Sequence, residues 1–182
     1  MKSGVELVRA TACENVERLR RGEITPHDLL DALEARIGEV DGQVNALPTL
    51  CFDRARKHAD ALMGKLVSER GLLAGMPVPI KDLTDVAGVL TTQGSPIFKD
   101  TIAAKSNIVV ERLEENGAVI YAKSNTPEFG AGAQTFNEVF GATRNPWNLS
   151  RSASGSSGGA APATSHSDGS APSSSRSNSS KH

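Results

Sequence analysis

The stretch "KSNIVVERLEENGAVIYAKSN", residues 105–125, decides the fold class. Ser106 or Asn107 is placed to cap a helix, Val109, Val110 and Leu113 recur at helical spacing as its inward side, and Gly117 is the residue type that ends one. "AVIYAKSN" then runs as a continuous apolar segment of strand length, the pattern of a strand covered on both faces. Upstream, "GMPVPIKDLTD" (75–85) contains Pro77 and Pro79, which exclude a helix interior, while Val78 and Ile80 alternate along an extended segment. Strand, helix and strand in that order predict a β-α-β unit and an α/β sheet.

Three amphipathic helices are expected before this unit. In the first, Val5, Leu7, Val8, Ala12, Val16 and Leu19 recur at helical spacing up to about Gly22. The second, "TPHDLLDALEARIGEV" (25–40), has Thr25 as cap, Pro26 at the first helical position, Asp28 reaching back, and Leu29, Leu30, Leu33 and Ile37 as its buried stripe. The third, "CFDRARKHADALMGKL" (51–66), sets Phe52, Ala55, Ala59, Leu62 and Met63 on one side and stops at Gly64. His58 is expected to face solvent among charged neighbours, and His27 to be a first-turn residue, so neither is read as a base. This divides the chain into a helical segment (1–70), a partial α/β core (71–159) and a disordered Ser-rich tail (160–182). After Leu149 there is no Leu, Ile, Val, Met or aromatic residue, so the last thirty or so residues are expected to add nothing to a core.

Charge and composition exclude several classes. Over 182 residues the net charge is −1, which gives no electrostatic reason to expect nucleic acid or an anionic membrane as partner. No apolar run approaches the roughly 20 residues of a membrane span, and the N-terminus lacks a signal-like apolar segment. Cys13 and Cys51 lack metal-site spacing and read as reduced thiols, so the expected setting is cytoplasmic, with no metal.

Two places carry chemistry. Lys81 follows a short apolar strand, where desolvation favours the neutral amine, and precedes Asp82 and Asp85, with which a surface lysine would pair. "GSSGG" (155–159) lets the backbone turn sharply and approach a ligand while Ser156 and Ser157 present hydroxyls. It lacks the pattern of a phosphate-binding loop and the spacing of a hydrolase nucleophile elbow. His166 and Asp168 lie in the tail, with nothing apolar to hold them. A serine can instead be activated by a neutral lysine acting through a second hydroxyl, and this chain supplies the lysine and a serine in suitable loops.

Those residues carry a family resemblance. "GEITPHDLLDALEARI", "GMPVPIKDLTDVAGVLTTQGS" and "GAVIYAKSNTPEFGAGAQTFNEVFGATRNPWNLSRSASGSSGG" resemble, in order, the N-terminal third of the amidase signature family over about residues 5–160. That family includes bacterial amidases, the A subunit of glutamyl-tRNA amidotransferase and fatty acid amide hydrolase. The resemblance implies an α/β fold for which this chain supplies the N-terminal helices and the first strands of a large mixed sheet. It implies a Ser-Ser-Lys triad in which Lys81 is the ultimate base and Ser156, held by a cis peptide, relays the proton. It further implies that Phe129, Gly130, Ala131 and Gly132 border the acyl pocket, that the Arg144 and Trp147 stretch packs beneath the glycine-rich loop, and that no cofactor is used.

The pattern breaks after Gly159. The family's nucleophile ends a "G-S-D-x-G-G-S-[IVL]-R" motif about two dozen residues beyond the relay serine, after an Ala- and Gly-rich helix. Here Pro162 is expected to interrupt that helix, and Ser180, 24 residues after Ser156, is in register only as one of nine serines among the last 23 residues. The change of texture leads to the expectation of a frameshift or other disruption in the gene after about residue 159. The expectation is thus an amidase by descent acting on a small-molecule amide, lacking its nucleophile and inactive alone. The alternatives are a component like the amidotransferase A subunit and a non-catalytic fragment or binding module. Oligomeric state and the particular amide are not legible.

Overall fold

The computed structural model describes residues 4–165. Helices α1 (Gly4–Arg9), α2 (Ala12–Arg20) and α3 (Pro26–Val44) lead to the short strand β1 (Thr49–Leu50) and helix α4 (Phe52–Met63). Strand β2 (Pro77–Lys81), helix α5 (Ile108–Glu115) and strand β3 (Val119–Ser124) follow. β2 and β3 pair in parallel and β1 joins the other edge of β3 antiparallel, in the order β1-β3-β2. This is the expected β-α-β unit. Among the described residues β2 is bonded on one side only, which suits the two prolines that cannot donate to a ladder.

All six residues of β3 are buried. Its Val119, Tyr121 and Ala122 join Leu30, Ile37, Phe52 and Leu62 in one core beneath α3 and α4. Ile120 lies in a second core with Ile80, Val86 and Val110, beneath α5. Both faces are covered, as the continuous apolar run predicts.

Local chemistry sets the ends. Thr25 and Asp28 form a reciprocal capping box: the Thr25 hydroxyl accepts from the Asp28 N–H at 3.2 Å and the Asp28 carboxylate accepts from the Thr25 N–H at 2.7 Å. α5 ends in a Schellman motif, with the N–H groups of Gly117 and Ala118 donating to the carbonyls of Glu114 and Leu113. Gly117 has φ 85°, the left-handed region this motif demands of its first residue past the cap.

Several expectations change. The first helix is two, because Thr11 adopts an extended conformation and makes its own capping box with Glu14, which diverts the backbone from continuing the helix. Val109 is exposed: with the helix starting at Ile108, Val110 and Leu113 form the inward stripe and Val109 falls outside it. Met63, at the end of α4, is also exposed. His58 does not face open solvent; its Nδ1 lies 3.6 Å from Glu114, which also pairs with Arg54 at 2.6 Å and ties α4 to α5. The chain beyond residue 159 begins as a helix, α6 (Ala160–Ser165), that runs through Pro162. Proline is tolerated there because first-turn N–H groups have no partner within the helix. Ala163 packs against the core under α3 and Ala153 is buried, so small side chains past Leu149 do contribute.

Replacing Thr25 by Ala is expected to lower unfolding free energy by about 1 kcal/mol, the usual cost of a lost side-chain cap, read as a shift of the urea midpoint.

Candidate active site

Parallel pairing brings the C-terminal ends of β2 and β3 together, with Lys81 opposite Ser124. Ligand sites of α/β sheets form outside such strand ends. Beyond β3 the chain stays buried through Asn125, Thr126 and Pro127. Residues 128–152 then form an excursion with two short hairpins, β4 (Phe136–Asn137) with β5 (Gly141–Ala142) and β6 (Arg144–Asn145) with β7 (Asn148–Ser152). The excursion returns the chain to the end of β3, where Gly155–Gly159 lies across the buried segment.

The glycines make that approach possible. A Cβ on Gly158 would sit 2.0 Å from the Ser154 carbonyl oxygen and 2.1 Å from Thr135 Oγ1, and one on Gly159 would sit 2.3 Å from the Asn125 nitrogen. The Gly158 N–H donates to Thr135 Oγ1 at 3.1 Å, the Gly159 N–H to the Asn125 carbonyl at 3.2 Å, and the Gly155 N–H to the Ala133 carbonyl at 2.7 Å. The Thr126 hydroxyl lies 3.4 Å from the Ser156 carbonyl oxygen. The Gly155–Ser156 peptide bond is cis.

Held this way, Ser156 Oγ lies 2.8 Å from Lys81 Nζ, and Ser157 Oγ lies 3.1 Å from the same nitrogen. Among the described residues no carboxylate forms an ion pair with Lys81. Its pKa lies below the ordinary lysine value, and the cause is burial. Asp82, expected beside it as a surface partner, is instead buried and paired with Lys123 at 3.0 Å. Asp85 is exposed, and its carbonyl accepts from the Asn107 N–H.

Phe129–Gly132 lies on both flanks of this arrangement. A Cβ on Gly130 would meet Leu83 Cδ1 at 2.5 Å, and one on Gly155 would lie 2.6 Å from the Gly132 carbonyl oxygen. Phe129 is 49% exposed at φ 50°, donates its N–H to the Gln93 carbonyl, and stacks edge-on against Phe98. Trp147 and Arg144 are exposed on the β6–β7 hairpin rather than packed beneath the glycine-rich loop. The side chain that accepts from the loop is Thr135, and the floor is Asn125 and Thr126. Sequence reasoning missed these three; their only signal is a run of short polar residues directly after a buried strand. His166, Asp168 and Ser180, with the change of texture from residue 160 onward, fall wholly or mostly outside the described residues.

Gly158→Ala is expected to push the loop off Thr135 and break the Lys81–Ser156 contact. Lysine-selective NMR should then show the Lys81 resonance moving toward those of exposed lysines while the other lysines stay in place.

A family model described as Amidase matches residues 28–170. Over 86% of its length the chain is 41% identical to the A subunit of the glutamyl-tRNA(Gln) amidotransferase of Roseiflexus sp. (strain RS-1), of which it covers 32%. The solved structure of a 6-aminohexanoate cyclic dimer hydrolase superposes with a TM-score of 0.80 at 34% identity, over 88% of this chain and 32% of that one. A bacterial aryl acylamidase of the amidase signature enzyme family gives 0.77 at 33% identity, over 84% and 32%. The chain spans about a third of the length of these relatives. With the family model covering most of the chain and the Lys81 and glycine-rich loop geometry formed within it, the chain belongs to the amidase signature family.

Proposed function

We propose that Lys81 and Ser156 are the base and relay of an amide-hydrolysing centre that cleaves the C–N bond of a small linear carboxamide, releasing a carboxylate and ammonia or an amine. The observation that carries this reading is the 2.8 Å contact between a lysine with no carboxylate ion-pair partner among the described residues and a serine on a backbone-clamped loop. A neutral Lys81 amine accepts the Ser156 proton across that contact. Ser156 Oγ in turn takes the proton of an attacking serine, which becomes acylated and is freed by water. Gly132, packed on Gly155, supports a role for Phe129–Gly132 as one wall of the acyl pocket.

The described residues contain no Gly-Gly-Ser of the kind that carries the family's nucleophile. They therefore represent the base and relay half of the centre, and the attacking serine lies outside them. Neither metal nor cofactor has a step in this chemistry. The free thiols of Cys13 and Cys51 support a reducing, cytoplasmic setting. The likeness to an amidotransferase component favours a second reading, an amide-cleaving member of an assembly with a tRNA-linked substrate. The near-neutral net charge does not argue against that, because a partner could hold the nucleic acid. Co-purification with such a partner separates the two.

The sign of the pH dependence follows from Lys81. Burial lowers its pKa, so the neutral amine forms at lower pH than for an exposed lysine, and a base-dependent rate rises through that lowered value. Competitive acetylation read by mass spectrometry should give Lys81 the lower apparent pKa beside exposed Lys99; an ordinary titration overturns the base role. Ammonia release from hexanamide is expected to show no component sensitive to Lys81→Ala. Turnover abolished by that change would place the attacking serine within the 182 residues.

A further inference from the structure

A lysine that must give up its proton near neutral pH is poorly served by a carboxylate beside it, yet Asp82 follows Lys81 directly. Consecutive strand residues leave the backbone on opposite faces, and Asp82 goes inward. It is fully buried, with Oδ1 3.0 Å from Lys123 Nζ and Oδ2 2.6 Å from Thr92 Oγ1 and 3.1 Å from the Thr92 nitrogen. Lys123, also at zero exposure, donates in addition to Thr91 Oγ1 at 2.7 Å. The backbone holds the same place: the Asp82 N–H donates to the Ser124 carbonyl, and the Asp82 carbonyl accepts from the Gln93 N–H.

A carboxylate buried without a cation is strongly unfavourable, so keeping Asp82 inside requires a positive charge at this point of the neighbouring strand. That requirement explains a lysine in a strand that is otherwise apolar up to its end. Among the described residues Asp82 touches Lys123, and Asp85 and the Cys51 thiol act on it from farther off. Burial pulls the Lys123 pKa below the ordinary lysine value and the Asp82 carboxylate works against that, whereas Lys81 meets the hydroxyls of Ser156 and Ser157.

We propose that Lys123 is a positioning residue for Lys81: by holding the Asp82 carboxylate in the core, it leaves the Lys81 amine with two serine hydroxyls as partners instead of an adjacent uncompensated negative charge. The inference rests on Lys81 as the proton acceptor. Without Lys123, the Asp82 charge would act on Lys81, favour the ammonium and weaken the base.

The test is the apparent pKa of every lysine, measured on the full chain by competitive acetylation from neutral to strongly alkaline pH. In Lys123→Met, Lys81 is expected to titrate about one pH unit or more higher than in the parent, with exposed Lys99 unchanged. Lys123→Gln keeps a donor for Asp82 and Thr91 and should give the same shift, and it carries the test if the Met variant does not fold. The double variant Lys123→Met with Asp82→Asn removes both charges and should return Lys81 to its parent titration, an outcome that general loosening of the core would not produce. An unshifted Lys81 in a folded single variant, or a raised one in the double variant, overturns the inference while leaving the base reading intact. An ordinary Lys81 titration in the parent removes both.

Discussion

Strand β3 is enclosed on every side, by α3 and α4 on one face, α5 on the other, and β1 and β2 along its edges. A strand in that position cannot leave a polar group to water, so each one it carries must find a partner within the protein. Lys123 finds Asp82 and Thr91. Directly beyond the strand, Asn125 donates its backbone N–H to Ala46 and accepts from Gly159 at its carbonyl. The enclosure of β3 therefore extends into a stretch of backbone that serves as a fixed floor for the glycine-rich loop.

The loop is held by many modest interactions. Asn125 Nδ2 donates to Thr143 Oγ1, Asn137 Nδ2 donates to Asn125 Oδ1 and to the Thr126 carbonyl, and the Thr143 hydroxyl donates to the Asn45 carbonyl. Each such bond contributes about 1 kcal/mol net, but leaving one buried partner unsatisfied costs more, so the network tolerates few alternative arrangements. Ser156 rides on this scaffold, while Lys81 is anchored separately at the end of β2. Two independently fixed elements thus meet at the Lys81 amine, which lies within hydrogen-bonding distance of the hydroxyls of both Ser156 and Ser157.

Much of the fold was legible because its signals are local. Thr25, Pro26 and Asp28 announced a helix start through their own side chains, and Asn107 and Gly117 bracketed α5 in the same way. The misreadings came where periodicity was trusted over local hydrogen bonding. Apolar spacing runs unbroken past Thr11, but the capping box there breaks the helix, and Pro162 sits in a first turn where a missing N–H costs little. At the site, Lys81 and Ser156 stood out by motif. Asn125, Thr126 and Thr135 did not, since a short polar residue after a strand looks the same whether it faces water or supports a glycine-rich loop.

The amino-acid sequence by itself determined the order of elements, the lysine at the end of a buried strand and the glycines that allow a backbone to come close, because each of these depends on neighbours a few residues away. Only the tertiary structure decided which charge meets which. Asp82 follows Lys81 in the chain yet pairs with Lys123, 41 residues on, and Lys81 reaches Ser156, 75 residues on. Those choices depend on strand register and on the direction in which each side chain leaves the sheet. A shift of one residue in β2 would turn Asp82 outward and Lys81 into the core.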